Sequence, residues 1–330
     1  MKSLQAHWYS PRAPVWLLPL EGVFRVLAAL RRAAYSRGLL RSQKLAVPVV
    51  VVGNISVGGT GKTPLVAWLV KLFQKAGYHP GIVSRGYGGQ AQRWPQQVRA
   101  DSNPDLVGDE TVMLAQRCGC PIAAGPDRVA AARALLQHAR CDVIISDDGL
   151  QHYALQRDIE IAVVDGERRF GNGHCLPAGP LREPISRLGQ VDFVVANGAA
   201  SRGEFAMRLA ARGLRAVADD SQPRDFVELA GQRVHAVAGI GHPQRFFQLL
   251  RAQGLMPVEH PFPDHHRYVA GDLAFGDDLP IVMTEKDAVK CRPFAGAQMW
   301  YVPVEAHLPE ALALRLLQML KQLSNEQAKS

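Results

Sequence analysis

The chain has 330 residues, enough for two domains with a core in each at roughly 150 residues per domain. Hydrophobic residues make up 47% and charged residues 21%, which excludes a largely disordered or collagen-like chain. Lys and Arg number 38 against 30 Asp and Glu, a net charge of +8, so the surface favours an anionic partner such as nucleic acid, phospholipid or a phosphorylated metabolite.

The first 45 residues differ from the rest. No apolar run approaches the ~18 residues of a membrane-spanning helix, and no short apolar core with a small-residue cleavage site marks a signal peptide. Val23, Phe24, Val26, Leu27, Leu30 and Leu39 alternate with Arg25, Arg31, Arg32, Arg37 and Arg41, and Trp8, Tyr9 and Trp16 lie upstream. Such an amphipathic helix either lies in a bilayer interface, with guanidinium groups on anionic headgroups, or packs on its own domain.

From Ala46 onward, short β-branched runs at 47–55, 81–84, 121–124, 142–146, 159–164 and 191–196 alternate with stretches of helical period. That alternation predicts crossover helices over a mainly parallel sheet. A shorter series begins near Val227, with strands at 234–240, 281–284 and 299–304 and a closing helix at 308–323. The expected organisation is an N-terminal helical segment (1–45), a larger α/β domain (46–225), a smaller α/β domain (226–305) and a C-terminal helix (306–330). Cys118, Cys120, Cys141, Cys175 and Cys291 are odd in number and lack C-x-x-C spacing, which fits a reduced interior better than a zinc site.

Within the larger domain the run Val49-Val50-Val51-Val52 leads through Gly53-Asn54-Ile55 into Ser56-Val57-Gly58-Gly59-Thr60-Gly61-Lys62-Thr63-Pro64. This is a phosphate-binding loop in its proper setting, a strand before it and a helix after it. The glycines let backbone N–H groups curl around phosphate oxygens, Lys62 can reach the β/γ phosphates and Thr63 can ligate Mg²⁺. Ser56 stands where the usual pattern has its first Gly. Asp147 and Asp148 end an apolar strand and supply the acidic Mg²⁺ partner that such a loop needs, unranked by spacing alone. Gln151 and His152 either extend that shell or serve as turn residues. Gly108-Asp109-Glu110 opens a helical stretch, where the two acids either cap the helix or act as general base and metal-shell carboxylate. In the smaller domain, Asp264-His265-His266 could form a metal site, a proton relay or a polar loop. Thr284-Glu285-Lys286-Asp287 reads first as a helix cap, with Lys286 able to meet a nucleotide.

Taken together with Ser84-Arg85-Gly86-Tyr87-Gly88 and Gly179-Pro180-Leu181-Arg182-Glu183-Pro184, these motifs resemble, in order and over nearly the whole chain, the tetraacyldisaccharide 4'-kinase family of lipid A biosynthesis. The resemblance implies a P-loop NTPase-like kinase domain with ATP and Mg²⁺ as cofactors, transfer of the γ-phosphoryl group to the 4'-hydroxyl of tetraacyldisaccharide 1-phosphate, and a place at the cytoplasmic face of the inner membrane. It implies that Asp109 accepts the hydroxyl proton with His265 in support, and that Lys62 acts at the phosphates cradled by residues 56–63. Thr63, Glu110, Asp148 and Gln151 would form the Mg²⁺ shell, with Tyr87, Asp147, His152, Arg182 and Glu183 as further active-site or substrate groups. The expected partners are the lipid substrate and an anionic membrane surface, with no nucleic acid and no protein partner. A switch ATPase of the partitioning type is disfavoured because the Lys that precedes the Gly-Gly-x-Gly-Lys-Thr run there is Val57 here. A nucleic-acid module is disfavoured because no recognition motif accompanies the charge.

Overall fold

The computed structural model describes residues 7–221 and 223–327; residues 1–6 of the expected N-terminal segment and 328–330 of the expected C-terminal helix lie outside the described residues. Helix α1 (Leu18–Ser36) precedes strand β1 (Val49–Gly53), which runs through the loop into α2 (Lys62–Lys75). Then follow β2 (Pro80–Ser84), β3 (Gln96–Val98), the short α3 (Pro104–Val107), α4 (Asp109–Cys118), β4 (Ile122–Ala124), α5 (Arg128–His138), β5 (Val143–Asp147), β6 (Ile159–Asp165), β7 (Phe193–Asn197) and β8 (Phe205–Ala211). The smaller unit holds β9 (Leu214–Ala216), β10 (Pro223–Arg224), β11 (Arg233–Ala238), α6 (Pro243–Ala252), β12 (Met256–Pro261), β13 (Ile281–Thr284), α7 (Glu285–Cys291) and β14 (Met299–Val302), and the chain closes with β15 (Val304–His307) and α8 (Glu310–Gln327).

The larger sheet has the order β15-β8-β7-β6-β1-β5-β2-β4-β3, parallel except for its edge strands β15 and β3. Its central strands are buried along their whole length, as a parallel sheet covered on both faces requires, which is why they read as continuous runs of Val and Ile. β1 lies between β5 and β6, so the phosphate loop leaves the centre of the sheet's C-terminal edge, flanked by the acids that end its neighbours. The smaller sheet, β10-β9-β14-β13-β11-β12, has its own core around Phe247, Leu250, Val234 and Val282.

The α/β class and the two-sheet plan match the expectation from sequence, but the borders differ. β9 and β10 belong to the smaller sheet, so the chain leaves the larger one at 212–213, ahead of the expected border at 225/226. It returns at Pro303: β15 pairs antiparallel with β8, and α8 buries Leu312, Leu316 and Leu320 in the larger core. The i, i+4, i+8 spacing of those leucines marks an apolar stripe, and a stripe does not say which sheet it will cover. The closing helix therefore belongs to the larger domain, as do the unexpected strands β3, β8 and β15.

Helix α1 begins earlier than its arginine pattern indicates. It is anchored by buried Glu21, whose Oε1 accepts from the Cys175 N–H at 3.0 Å and whose Oε2 pairs with His174 Nδ1 at 2.6 Å. Val23, Val26, Leu27 and Leu30 are 57–61% exposed, and their i, i+3, i+4, i+7 spacing places them on one face. The helix thus turns its apolar stripe away from the protein.

Candidate active site

Between the two sheets lies a cleft of about 1060 Å³ lined by the phosphate loop, Tyr87, Glu110, Asp147, Asp148 and Arg182 from the larger domain and by Asp264, His265 and Lys286 from the smaller. The loop is held from both sides. Asn54 Nδ2 donates to the Gly58 carbonyl at 3.3 Å, Asn197 Nδ2 donates to the Thr60 carbonyl at 3.2 Å, and the Val57 N–H donates to the Pro180 carbonyl at 2.8 Å. The first two bonds anchor loop carbonyls and the third anchors the Val57 amide, fixing the loop at the N-terminus of α2, where backbone N–H groups bind anions. Gly61 has φ of 92°, and a Cβ there would stand 2.7 Å from Asn197 Nδ2. Gly61→Ala should therefore weaken nucleotide binding by about 10- to 100-fold through left-handed strain and displacement of Asn197; calorimetric titration checks this, and unchanged affinity would refute the packing argument.

Strand β5 delivers Asp147 and Asp148 to the same edge. Asp148, with φ of 50°, swings its carboxylate between Lys62 Nζ at 3.4 Å and Arg182 Nη1 at 3.1 Å. Burial pushes its acidity down, yet the two cations override this and hold the carboxyl below its ordinary range. Asp147 is the opposite case: burial, then the charge of Glu110, push it up to about 7 against the pull of Lys62. Its Oδ1 is buried with no hydrogen-bond partner among the described residues, which suits an acceptor for a cation. No three acids or histidines among the described residues group as a closed metal site, but Mg²⁺ keeps several waters and takes only one or two carboxylates beside phosphate oxygens, so Thr63 with one or two of Asp147, Asp148 and Glu110, all lining the cleft, fit it.

On the β5 and β2 side of the loop, Gly108 places Asp109 at the first turn of α4. Its φ is 89°, and a Cβ there would lie 2.5 Å from the Tyr87 carbonyl, so the Tyr87 loop and the start of α4 pack backbone to backbone. Asp109 is buried at 6% exposure and its Oδ2 meets His265 Nδ1 at 3.1 Å. Burial disfavours the charged carboxylate of Asp109, but the His265 bond, Lys286 and Lys290 outweigh it and keep the carboxyl ionised below the usual range. The same bond raises His265 above the ordinary imidazole value, against burial and Lys286. His265 Nε2 lies 3.1 Å from Lys286 Nζ, which also pairs with Glu110 at 3.1 Å and Asp264 at 3.0 Å. Tyr87 lays its ring 5.0 Å from that of His265. Of the three described non-glycine residues with positive φ, two are Asp148 and His265, and strain of that kind persists where the surroundings demand a particular side-chain direction.

The structure brings most of the sequence-derived candidates into this cleft. His265 faces Asp109, whereas His266 turns away to Asp272 at 3.0 Å. Ser56, Thr60, Asp109, Gln151, His152 and Glu183 do not line the cleft; Asp109 is joined to it through His265. Gln151 Nε2 donates to Glu183 at 2.8 Å and to the Asn54 carbonyl at 3.1 Å, while its Oε1 faces Arg182 Nη1 at 3.5 Å. His152 Nε2 accepts from the Arg128 N–H at 3.3 Å, and burial followed by Arg128 lowers its ring to about 4. Glu183 lines an adjacent groove of about 510 Å³ beneath α1. Sequence reading missed Asn197, which braces the loop, and Arg128, which donates to the carbonyls of Asp147 at 3.2 Å and Asp148 at 3.4 Å. It also set Lys286 behind a capping role that Thr284 fills by accepting from the Asp287 N–H. Arg128 and Asn197 carry no motif; their roles depend on strands and loops brought together only by the fold.

A phosphate loop at the centre of a parallel sheet, acids at the neighbouring strand end and a buried carboxylate paired with a histidine of the smaller domain define a P-loop phosphotransferase. The family model for tetraacyldisaccharide-1-P 4'-kinase (LpxK) matches residues 13–321. Tetraacyldisaccharide 4'-kinases from Nitrosococcus oceani and Alkalilimnicola ehrlichii are each 54% identical, the first over 97% of this chain and 95% of its own length and the second over 98% of both. A crystal structure of LpxK from Aquifex aeolicus in complex with ATP superposes with a TM-score of 0.78 at 27% identity, covering 92% of this chain and 98% of that one. The chain belongs to the tetraacyldisaccharide-1-P 4'-kinase family.

Proposed function

We propose that the protein transfers the γ-phosphoryl group of ATP to the 4'-hydroxyl of tetraacyldisaccharide 1-phosphate, giving the bisphosphorylated lipid A precursor at the cytoplasmic face of the inner membrane. The observation that carries this reading is the Asp109–His265 pair, 3.1 Å apart, in which buried Asp109 lies behind the cleft wall and His265 lines the same cleft as the phosphate loop. Loop amides and Lys62 hold the phosphates. The acceptor oxygen forms its bond to the γ-phosphorus as the bond to the β-phosphate oxygen breaks; ADP leaves and the hydroxyl proton passes to Asp109. His265 fixes the direction of that carboxylate from the smaller domain. Mg²⁺ would be held by Thr63, Asp148 and Glu110 with Asp147 beside them, and when bound it neutralises charge on the β and γ oxygens. Gln151 steadies Arg182, which pairs with Asp148 and lines the cleft.

An amphiphilic acceptor fits the neighbourhood. Arg182 lines the catalytic cleft, and the next residue, Glu183, lines the groove under α1 together with Leu18, Ala29 and Pro184 and the cationic Arg25 and Arg32. One molecule can thus lay a polar head in the cleft and an apolar tail along α1. No helix among the described residues is long and apolar enough to cross a membrane. The exposed stripe Val23, Val26, Leu27 and Leu30 instead supports a helix lying in an anionic surface, each side chain contributing about 1.5–3 kcal/mol when buried there. Serine at positions 26, 27 and 30 should weaken binding to anionic vesicles by at least ~100-fold without unfolding the protein, because Glu21 and its partners remain. Co-sedimentation tests this, and undiminished pelleting would remove the helix as the membrane contact. Function itself is tested by following phosphate incorporation into tetraacyldisaccharide 1-phosphate by mass spectrometry in detergent, with ATP and Mg²⁺. ATP hydrolysis without labelled lipid would overturn the acceptor assignment.

A further inference from the structure

The flank of the cleft opposite Asp109 carries an ion-pair cluster that phosphoryl transfer leaves without a role. Arg245 stands in the first turn of α6, in the smaller domain, and reaches across to the larger one. Its Nη1 and Nη2 donate to Asp165 Oδ2 and Oδ1 at 2.9 and 2.7 Å, and its Nε and Nη2 donate to Glu167 Oε2 at 3.0 and 2.7 Å. Asp165 ends β6, is 4% exposed, and is fixed by the N–H groups of Glu167 and Arg168, each donating to Oδ1 at 3.0 Å. An arginine in a helix's first turn is locally unfavourable because the macrodipole is positive there, so the position is not explained by the stability of α6. The two facing carboxylates supply the missing negative charge from the other domain. They also occupy the guanidinium fork, leaving no paired donors for a phosphate.

The place of this cluster in the topology matters. β6 lies on one side of β1, and β5 and β2 lie on the other. Arg245 therefore ties the domains together on one side of the phosphate loop, while His265 and Lys286 meet Asp109 and Glu110 on the other. The chain itself passes between domains at 212–213 and at 303, on the β8/β15 edge. We propose that Arg245 is a positioning residue, a latch whose bidentate grip on buried Asp165 holds the domains in the closed arrangement that sets His265 against Asp109. This rests on the kinase reading of the cleft. Glu167, whose side chain is 71% exposed, is the minor partner, since exposed pairs contribute little.

The test uses the full-length protein in detergent with spin labels at Arg202 and Gln253, exposed positions on the two domains, and Cys120 changed to Ser because it is the least buried native thiol. In the presence of Mg²⁺ and ATP, R245M should lengthen and broaden the label distance and lower kcat for the lipid roughly 10- to 100-fold, with thermal unfolding showing an intact fold. R245K, which keeps the charge but not the fork, should recover part of both effects and serves as the test if R245M fails to fold. E167Q should stay within about twofold of the parent protein. Unchanged label distances in R245M and R245K overturn the latch, whether or not turnover falls. A parent protein whose domains open on R245M but which never phosphorylates the lipid retains the latch and loses the kinase reading.

Discussion

Asp109→Asn should lower kcat by about 10²- to 10⁴-fold while leaving ATP affinity within about threefold. Asparagine keeps the size of the side chain and its place at the start of α4, but it cannot take a proton from the acceptor hydroxyl. It also loses the charge that holds His265 Nδ1 at 3.1 Å. The phosphate loop is on another element, and its bonds to Asn54, Asn197 and Pro180 do not involve Asp109, so binding of the nucleotide survives. The pH profile follows from the same pair. Asp109 is depressed by His265, Lys286 and Lys290 despite burial, so it contributes stability that is present above the unfolded carboxylate value and lost only as pH falls through its lower folded value. His265 is raised chiefly by its bond to Asp109, so its contribution is full below about 6.5 and fades as pH rises through its higher folded value. The pair is therefore strongest between roughly pH 4 and 6.5, and contact between the domains should loosen on the alkaline side. Steady-state kinetics with a nucleotide-binding titration checks the first claim, and a D109N enzyme with nearly parental kcat would remove Asp109 from the chemistry.

Lys62→Ala is the second large effect, and it should look different. Lys62 is the one cationic side chain in residues 56–63 and is 3.4 Å from Asp148. Its removal takes away transition-state charge stabilisation, an interaction whose loss costs about 10²- to 10³-fold in kcat, and it also weakens ATP binding. There is an electrostatic consequence beyond the missing contact. Lys62 pulls Asp147 down against the burial and the Glu110 charge that raise it to about 7, so without Lys62 Asp147 should hold its proton at neutral pH and compete poorly for a divalent cation. Raising the Mg²⁺ concentration and the pH should then recover part of the K62A activity but none of the D109N loss. Recovery of both by Mg²⁺, or of neither, would show that the roles assigned to Lys62 and Asp109 are wrong.

How much of this was legible in the chain depends on the range of the physics involved. The phosphate loop, its flanking strand and the acids at 147–148 are local: a run of valines, glycines where the backbone must turn left-handed, and a lysine at a helix start suffice to write them. The two-sheet α/β plan was likewise readable, because parallel strands buried on both faces leave continuous apolar runs. Spacing could not separate His265 from His266, nor capping from catalysis at Asp109. The first of these is decided when the smaller domain folds over the larger and left-handed backbone at His265 turns one imidazole to Asp109 while its neighbour turns to Asp272.

The sequence by itself thus determined the chemistry that lies within one strand, loop and helix, and the order of motifs identified the family. The tertiary structure alone decided that α8 covers the larger sheet, that Arg128 and Asn197 brace the site, that Gln151 and Glu183 sit beside the cleft and do not line it, and that the apolar stripe of α1 faces outward. Each of these rests on contacts between segments far apart in the chain. An amphipathic stripe or a lone arginine states what it needs, apolar cover or a carboxylate, but the partner that meets the need is selected only when the sheets close over the cleft.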